Sequence, residues 1–144
     1  MNEADKNKLI ITTSWLFEAV NNQYRAVIND IRKSMMFSMY KLSTLFNKFN
    51  KNINLSFSLI NQAQRNFVVV LKQAQFNSVT LNNIYKMYVK RGIYQEKMAS
   101  EALSNLRYDV NVFSDPLFKN IIAKTYNLHS LLMDLERKFY LLCE

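Results

Sequence analysis

One glycine and one proline in 144 residues give this chain almost no means of making the tight turns that a sheet requires. Strands are connected through positions of positive φ, which glycine supplies, and through pre-bent prolines. Folds rich in β structure use both residues far more often than this. The expected fold is therefore all-α: a compact bundle of four to five helices with a long N-terminal helix and a heptad-patterned C-terminal helix. Apolar residues make up 49% of the chain, enough for one core. No linker, internal repeat or low-complexity tail divides residues 1–144, so a single domain is expected.

The apolar residues Leu9, Leu16, Val20, Tyr24, Val27, Ile31, Met35, Met39, Leu42, Leu45 and Phe49 recur mostly at steps of three and four. That spacing predicts one helix to about Asn47, with Thr12 and Thr13 as a break near its start. Asparagine competes for backbone hydrogen bonds, so the asparagine-rich tract from Asn47 to Asn54 predicts a loop. A second helix then starts at Asn54 or Ser56, with Phe57, Ile60, Phe67 and Leu71 on one face. Its Val68, Val69 and Val70 favour a strand locally, but the spacing around them favours helix. Thr80 is the expected cap of a third helix ending near Arg91, where Gly92 serves as a C-terminal residue or a kink. A β-hairpin through Asn82 and Asn83 is the weaker alternative. Residues 93–107 form a fourth helical segment, separate from the third or continuous with it, followed by irregular chain from Tyr108 to Phe113. Ser114, Asp115 and Pro116 announce the last helix, to about Leu142. Its seam is Phe118, Ile121, Thr125, Leu128, Leu132, Leu135, Phe139 and Leu142, and Asp134 and Lys138 form an i,i+4 pair.

Charge is distributed unevenly along this scaffold. Between Ile31 and Gln95 lie ten basic residues and no acidic one: Arg32, Lys33, Lys41, Lys48, Lys51, Arg65, Lys72, Lys86, Lys90 and Arg91. A merely solvated face mixes both signs. An unopposed block makes a positive field that attracts polyanions. If helix continues through Gly92, Lys86, Lys90 and Lys97 share a face with Tyr94, a pattern of cations and exposed aromatic that suits a phosphate backbone with a base beside it. The residues expected to bind nucleic acid are thus Tyr94 and the ten cations. An acidic protein partner is the alternative, and an anionic membrane surface ranks third. Met35, Met36, Phe37 and Met39 are too many large apolar groups for one helix face, and mark a possible contact with a protein partner or a second copy.

Catalytic constellations are not visible. His129 is the one histidine, beside the seam of the last helix, and reads as a packed or half-exposed structural residue because no motif supplies a nucleophile for it. Cys143 is the one cysteine; it excludes an internal disulfide and a cysteine-based metal site, and suits a reducing compartment. A chain with one glycine has no glycine-rich phosphate loop. The pairs Glu96 with Glu101 and Asp134 with Glu136 are spaced onto different faces of their helices, which leaves no carboxylate pair for general acid–base work. The longest apolar runs, such as residues 67–71, fall well short of the roughly 18 residues a spanning helix needs. The acids near Met1 make a poor secretory signal. From sequence, the expectation is a cytoplasmic, non-enzymatic subunit of a larger assembly, without cofactor or metal, that binds nucleic acid by releasing counterions from several phosphates.

Overall fold

The computed structural model describes residues 1–34, 44–73, 75–108, 112 and 114–144. It is a bundle of helices, with no strand among the described residues. Helix α1 runs from Glu3 to Lys33 and is capped by Asn2, whose side chain accepts a hydrogen bond from the Asp5 amide at 2.8 Å. Glu3 and Asp5 in the first turn and Arg32 and Lys33 in the last complement the helix dipole. The threonines expected to break it do not. Thr12 and Thr13 both donate to the Leu9 carbonyl, at 3.0 and 2.7 Å, and so satisfy their hydroxyls inside the helix.

Two boundaries differ from expectation. Helix α1 ends at Lys33, where Ser34 turns its amide back to the Ile31 carbonyl, rather than near Asn47. Helix α2 covers Thr44–Leu71 and passes straight through the asparagine-rich tract. Asn54 there donates to the Asn50 carbonyl at 2.8 Å, so its amide serves the helix instead of competing with it. Phe46, Phe49 and Ile53 are buried at helical spacing. Burying each such side chain gains about 1.5–3 kcal/mol, more than the roughly half a kcal/mol that an asparagine costs in a helix. The valines at 68–70 are helical, as their spacing predicts.

Helix α3, Ser78–Ile84, is capped by Asn77 rather than Thr80, through a 2.8 Å bond from the Val79 amide. It runs without interruption through a π-helical turn, Tyr85–Val89, into helix α4, Lys90–Leu106. The third and fourth segments are therefore continuous, and no hairpin forms at Asn82 and Asn83. Gly92 lies inside α4 and has no positive φ. Its role is close approach: a Cβ there would stand 2.8 Å from Ile60 Cδ1 and 2.9 Å from Cγ1. Helix α5, Pro116–Cys143, is capped by Asp115, which accepts from the Leu117 amide at 2.8 Å, with Pro116 at its first position. Its buried residues are the predicted seam from Phe118 to Leu142. Asp134 pairs at 2.5 Å with Arg137, not Lys138.

Packing is most extensive within two helix pairs, α1 with α5 and α2 with α4, and the pairs meet over a common core. Antiparallel order between α1 and α5 follows from the pairings Phe17–Phe139 and Asp30–Lys124. Phe17, Phe67 and Phe139 meet with ring centroids 5.5–5.7 Å apart, joining α1, α2 and α5. A buried polar chain crosses the same core. Ser56 donates its one hydroxyl hydrogen to the Gly92 carbonyl at 2.5 Å, so the Tyr24 hydroxyl must be the donor in its own bond to Ser56. Fixed partners of this kind set the helices' register.

Candidate protein-docking surface

Helix pairing turns an asymmetry of sequence into an asymmetry of surface. The acid-free block runs from the end of α1 to early α4, and most of it falls on α2 and on the α3–α4 rod, which pack against each other. Lys48, Lys51 and Arg65 are exposed on α2, Lys72 is exposed just beyond it, and Lys86, Lys90, Arg91 and Tyr94 are exposed on the rod. Arg32 and Lys33 are exposed at the end of α1, where the helix dipole gives them a structural reason to be. Lys41, Met35, Met36, Phe37 and Met39 lie outside the described residues. Among the described residues the ion pairs are Lys124–Asp30 and Arg137–Asp134, and His129 meets Glu96 at hydrogen-bond distance. None uses a cation of the block.

The cations are not gathered into a pocket. At 1.5 Å per residue, Lys48 and Lys72 are about 36 Å apart along the helix axis. The denser patch is on the rod, where Lys86, Lys90 and Arg91 fall within six positions. Exposed apolar side chains accompany them: Met87 is 53% and Tyr94 58% exposed, and Leu55 on the neighbouring α2 is 43% exposed. Gly92 lets α4 settle onto Ile60 and Ser56 of α2, which holds these two outer faces close together. The chemistry this surface offers is long-range attraction to negative charge plus a few apolar contacts.

A second polar feature, not foreseen from sequence, lies between α4 and α5. Glu96 is fully buried, and its carboxylate accepts from the Ser100 hydroxyl at 2.9 Å and meets His129 Nδ1 at 2.9 Å. His129 is 48% exposed and forms part of the wall of an open groove of about 530 Å³ that also includes Lys97, Ser104 and Tyr126. The order of groups is wrong for a hydrolytic triad. There the imidazole stands between hydroxyl and carboxylate, whereas here the carboxylate stands between hydroxyl and imidazole. Among the described residues no group of three His, Cys, Asp or Glu could hold a metal ion. No helix among them is long and apolar enough to cross a membrane.

Helical phase alone could not have revealed Glu96, because its partner His129 is 33 positions away on another helix. The same holds for the buried Asp30, paired at 2.6 Å with Lys124.

No family model matches the chain, and no solved structure matches it. Its curated relatives include the co-chaperone protein HscB of three Buchnera aphidicola strains from Acyrthosiphon pisum: Tuc7, 5A and APS. Each is 26% identical over 140 residues, covering 90% of this chain and 76% of the relative. These relatives are named for work with a chaperone, and a chaperone is a protein. That finding overturns the expectation of nucleic acid as the partner. The physical reason for the error is that a positive field reports the sign of what it attracts and not its chemical class. The alternative, a helical adaptor that docks an acidic protein, fits the relatives better.

Proposed function

We propose that this chain is a non-catalytic helical adaptor that docks another protein in the manner of a co-chaperone, working in the cytoplasm as one domain. The observation that carries the reading is the likeness to co-chaperones along nine-tenths of the chain. The structure is compatible with it in two ways. The long helices form a scaffold tied at fixed register by the chain Tyr24–Ser56–Gly92. Its exposed face is charged and partly apolar, in keeping with a surface that meets partners through complementary potential and a few anchors.

The test is direct. Purified ATP-dependent chaperones are titrated one by one with the folded chain, and both binding heat and ATP turnover are recorded. Saturable binding to one of them, with a change in its turnover, is the expected result. An absence of binding and of any change in turnover across the panel would remove the co-chaperone reading.

A further inference from the structure

We infer that the outward face of the α2–α4 pair docks an acidic, amphipathic helical segment of a partner protein, with Lys86, Lys90 and Arg91 meeting its carboxylates and Met87 and Tyr94 receiving its apolar side chains. This deepens the protein-docking reading and rests on it.

Three observations support the assignment. First, the cations are unopposed. Every acid on α2, α3, the π-helical turn and α4 is either Glu96, which is buried and already paired, or Glu101, which stands beyond Lys97 at the far end of the stripe. Carboxylates from outside would therefore meet the field without displacing an internal carboxylate; Arg91 donates to a backbone carbonyl, that of Met87, at 3.3 Å.

Second, the stripe has the dimensions of a helix contact. Lys86, Lys90, Tyr94 and Lys97 follow one another at steps of four, four and three. They span about 16 Å at the α-helical rise. A partner helix with carboxylates three and four residues apart presents the same spacing. Met87 and Arg91 run beside this stripe, again four positions apart, so charged and apolar groups are interleaved across its width. Half-exposed Met and Tyr are the residue types that serve as adaptable and rigid anchors at protein interfaces.

Third, the backbone departs from α geometry at this place. The Lys90 amide bonds to the Tyr85 carbonyl, an i,i+5 closure. A π turn is wider than an α turn, so residues four and five positions on from Lys86 both fall near its face. Single π turns of this kind recur at functional sites.

Charge and shape together favour a protein segment over a lipid surface. A helix lying in a membrane interface needs a continuous apolar face. On the rod the exposed Met87 and Tyr94 alternate with the exposed Lys86, Lys90 and Arg91 instead of forming such a face.

The experiment measures binding of the full chain to a fluorescent amphipathic helical peptide of about five turns carrying Glu on one face and Leu on the other. Comparison probes are the same peptide with Lys for Glu, the same with Ser for Leu, and anionic lipid vesicles. The acidic amphipathic peptide should bind and both altered peptides should bind far more weakly. The pair Lys86→Glu/Lys90→Glu should lose about ten-fold in affinity. Lys8→Glu/Lys138→Glu, an equal change in net charge, should lose less than about two-fold, and Tyr94→Ser about three-fold or more. Circular dichroism checks that each variant is folded, and Lys86→Gln/Lys90→Gln provides a milder second variant. Equal losses from the two charge pairs, equal binding of the lysine peptide, or tighter binding to vesicles than to the acidic peptide would each overturn the inference. Its failure is separable from that of the co-chaperone reading. A chaperone that binds the Lys86→Glu/Lys90→Glu variant as well as the unaltered chain removes this face and leaves the reading standing. Face-dependent peptide binding with no chaperone engaged does the reverse.

Discussion

Glu96 has no exposed surface, and its carboxylate lies 2.9 Å from Nδ1 of the half-exposed His129. Truncating one partner of such a pair leaves the other buried and underpaired, whereas replacing both need cost little. His129→Ala should therefore lower stability by about 1–2 kcal/mol, a modest figure because water can reach the vacated side. Glu96→Gln introduced into that variant should recover part of the loss, since a neutral amide asks less of its surroundings. Urea unfolding of the two singles and the double checks this. Strictly additive effects would show that the two side chains are not coupled.

Gly92 and Ile60 form a second coupled pair. An alanine at 92 gains about 1 kcal/mol of helix propensity, but its Cβ would press on Ile60 at 2.8 and 2.9 Å in a filled core. Overpacking of this kind typically costs about 1–3 kcal/mol, so Gly92→Ala should be destabilising on balance. Adding Ile60→Val removes the nearer contact atom, and the double variant should be more stable than the sum of the singles predicts by at least about 0.5 kcal/mol. Thermal or urea unfolding of the four proteins decides it.

Alkaline pH should weaken the bundle. Burial pushes the Tyr24 phenol well above the ordinary tyrosine range. Burial likewise raises Tyr85, helped by its bonds to Tyr140 and Glu136. The folded state thus holds these protons more tightly than the unfolded chain does. Their contribution is complete below the unfolded value of about 10, and it is lost as pH rises above that value toward the folded ones. Unfolding free energy should fall steadily above about pH 10, and Tyr24→Phe should make the fall shallower. A slope unchanged by Tyr24→Phe would show that Tyr24 is not one of the groups responsible.

The legibility of the fold in the sequence varied by element. The seam of α5 could be read residue by residue because Phe118 to Leu142 alternate steps of three and four behind an unambiguous Asp115–Pro116 start. The end of α1 could not, because Met35, Met39 and Leu42 continue the apolar spacing across the boundary. Asparagines 47 to 54 suggested a loop, since their preference for turns is visible in the sequence and the burial of Phe49 and Ile53 is not. The π turn is also silent. Leu81, Ile84, Tyr85, Val89 and Gly92 fit an α seam almost as well, and a one-residue widening changes the phase too little to be seen.

The candidate surface was legible in part. Ten unopposed cations foretold a positive face, and the structure places nine of them, all exposed. They could not tell which polyanion that face meets, because field strength has no shape. The interleaved Met87 and the π turn add the shape, and both depend on tertiary structure for their meaning.

The most direct measurement of the docking account is amide chemical-shift mapping by nuclear magnetic resonance on the 17.0 kDa chain, titrated with the acidic amphipathic peptide. The account predicts that the largest shifts trace the outer faces of α2, the Tyr85–Val89 turn and α4, centred on Lys86, Lys90, Arg91 and Tyr94, while the outer faces of α1 and α5 stay quiet. Shifts spread evenly over cations throughout the chain, Lys8 and Lys138 included, would contradict it.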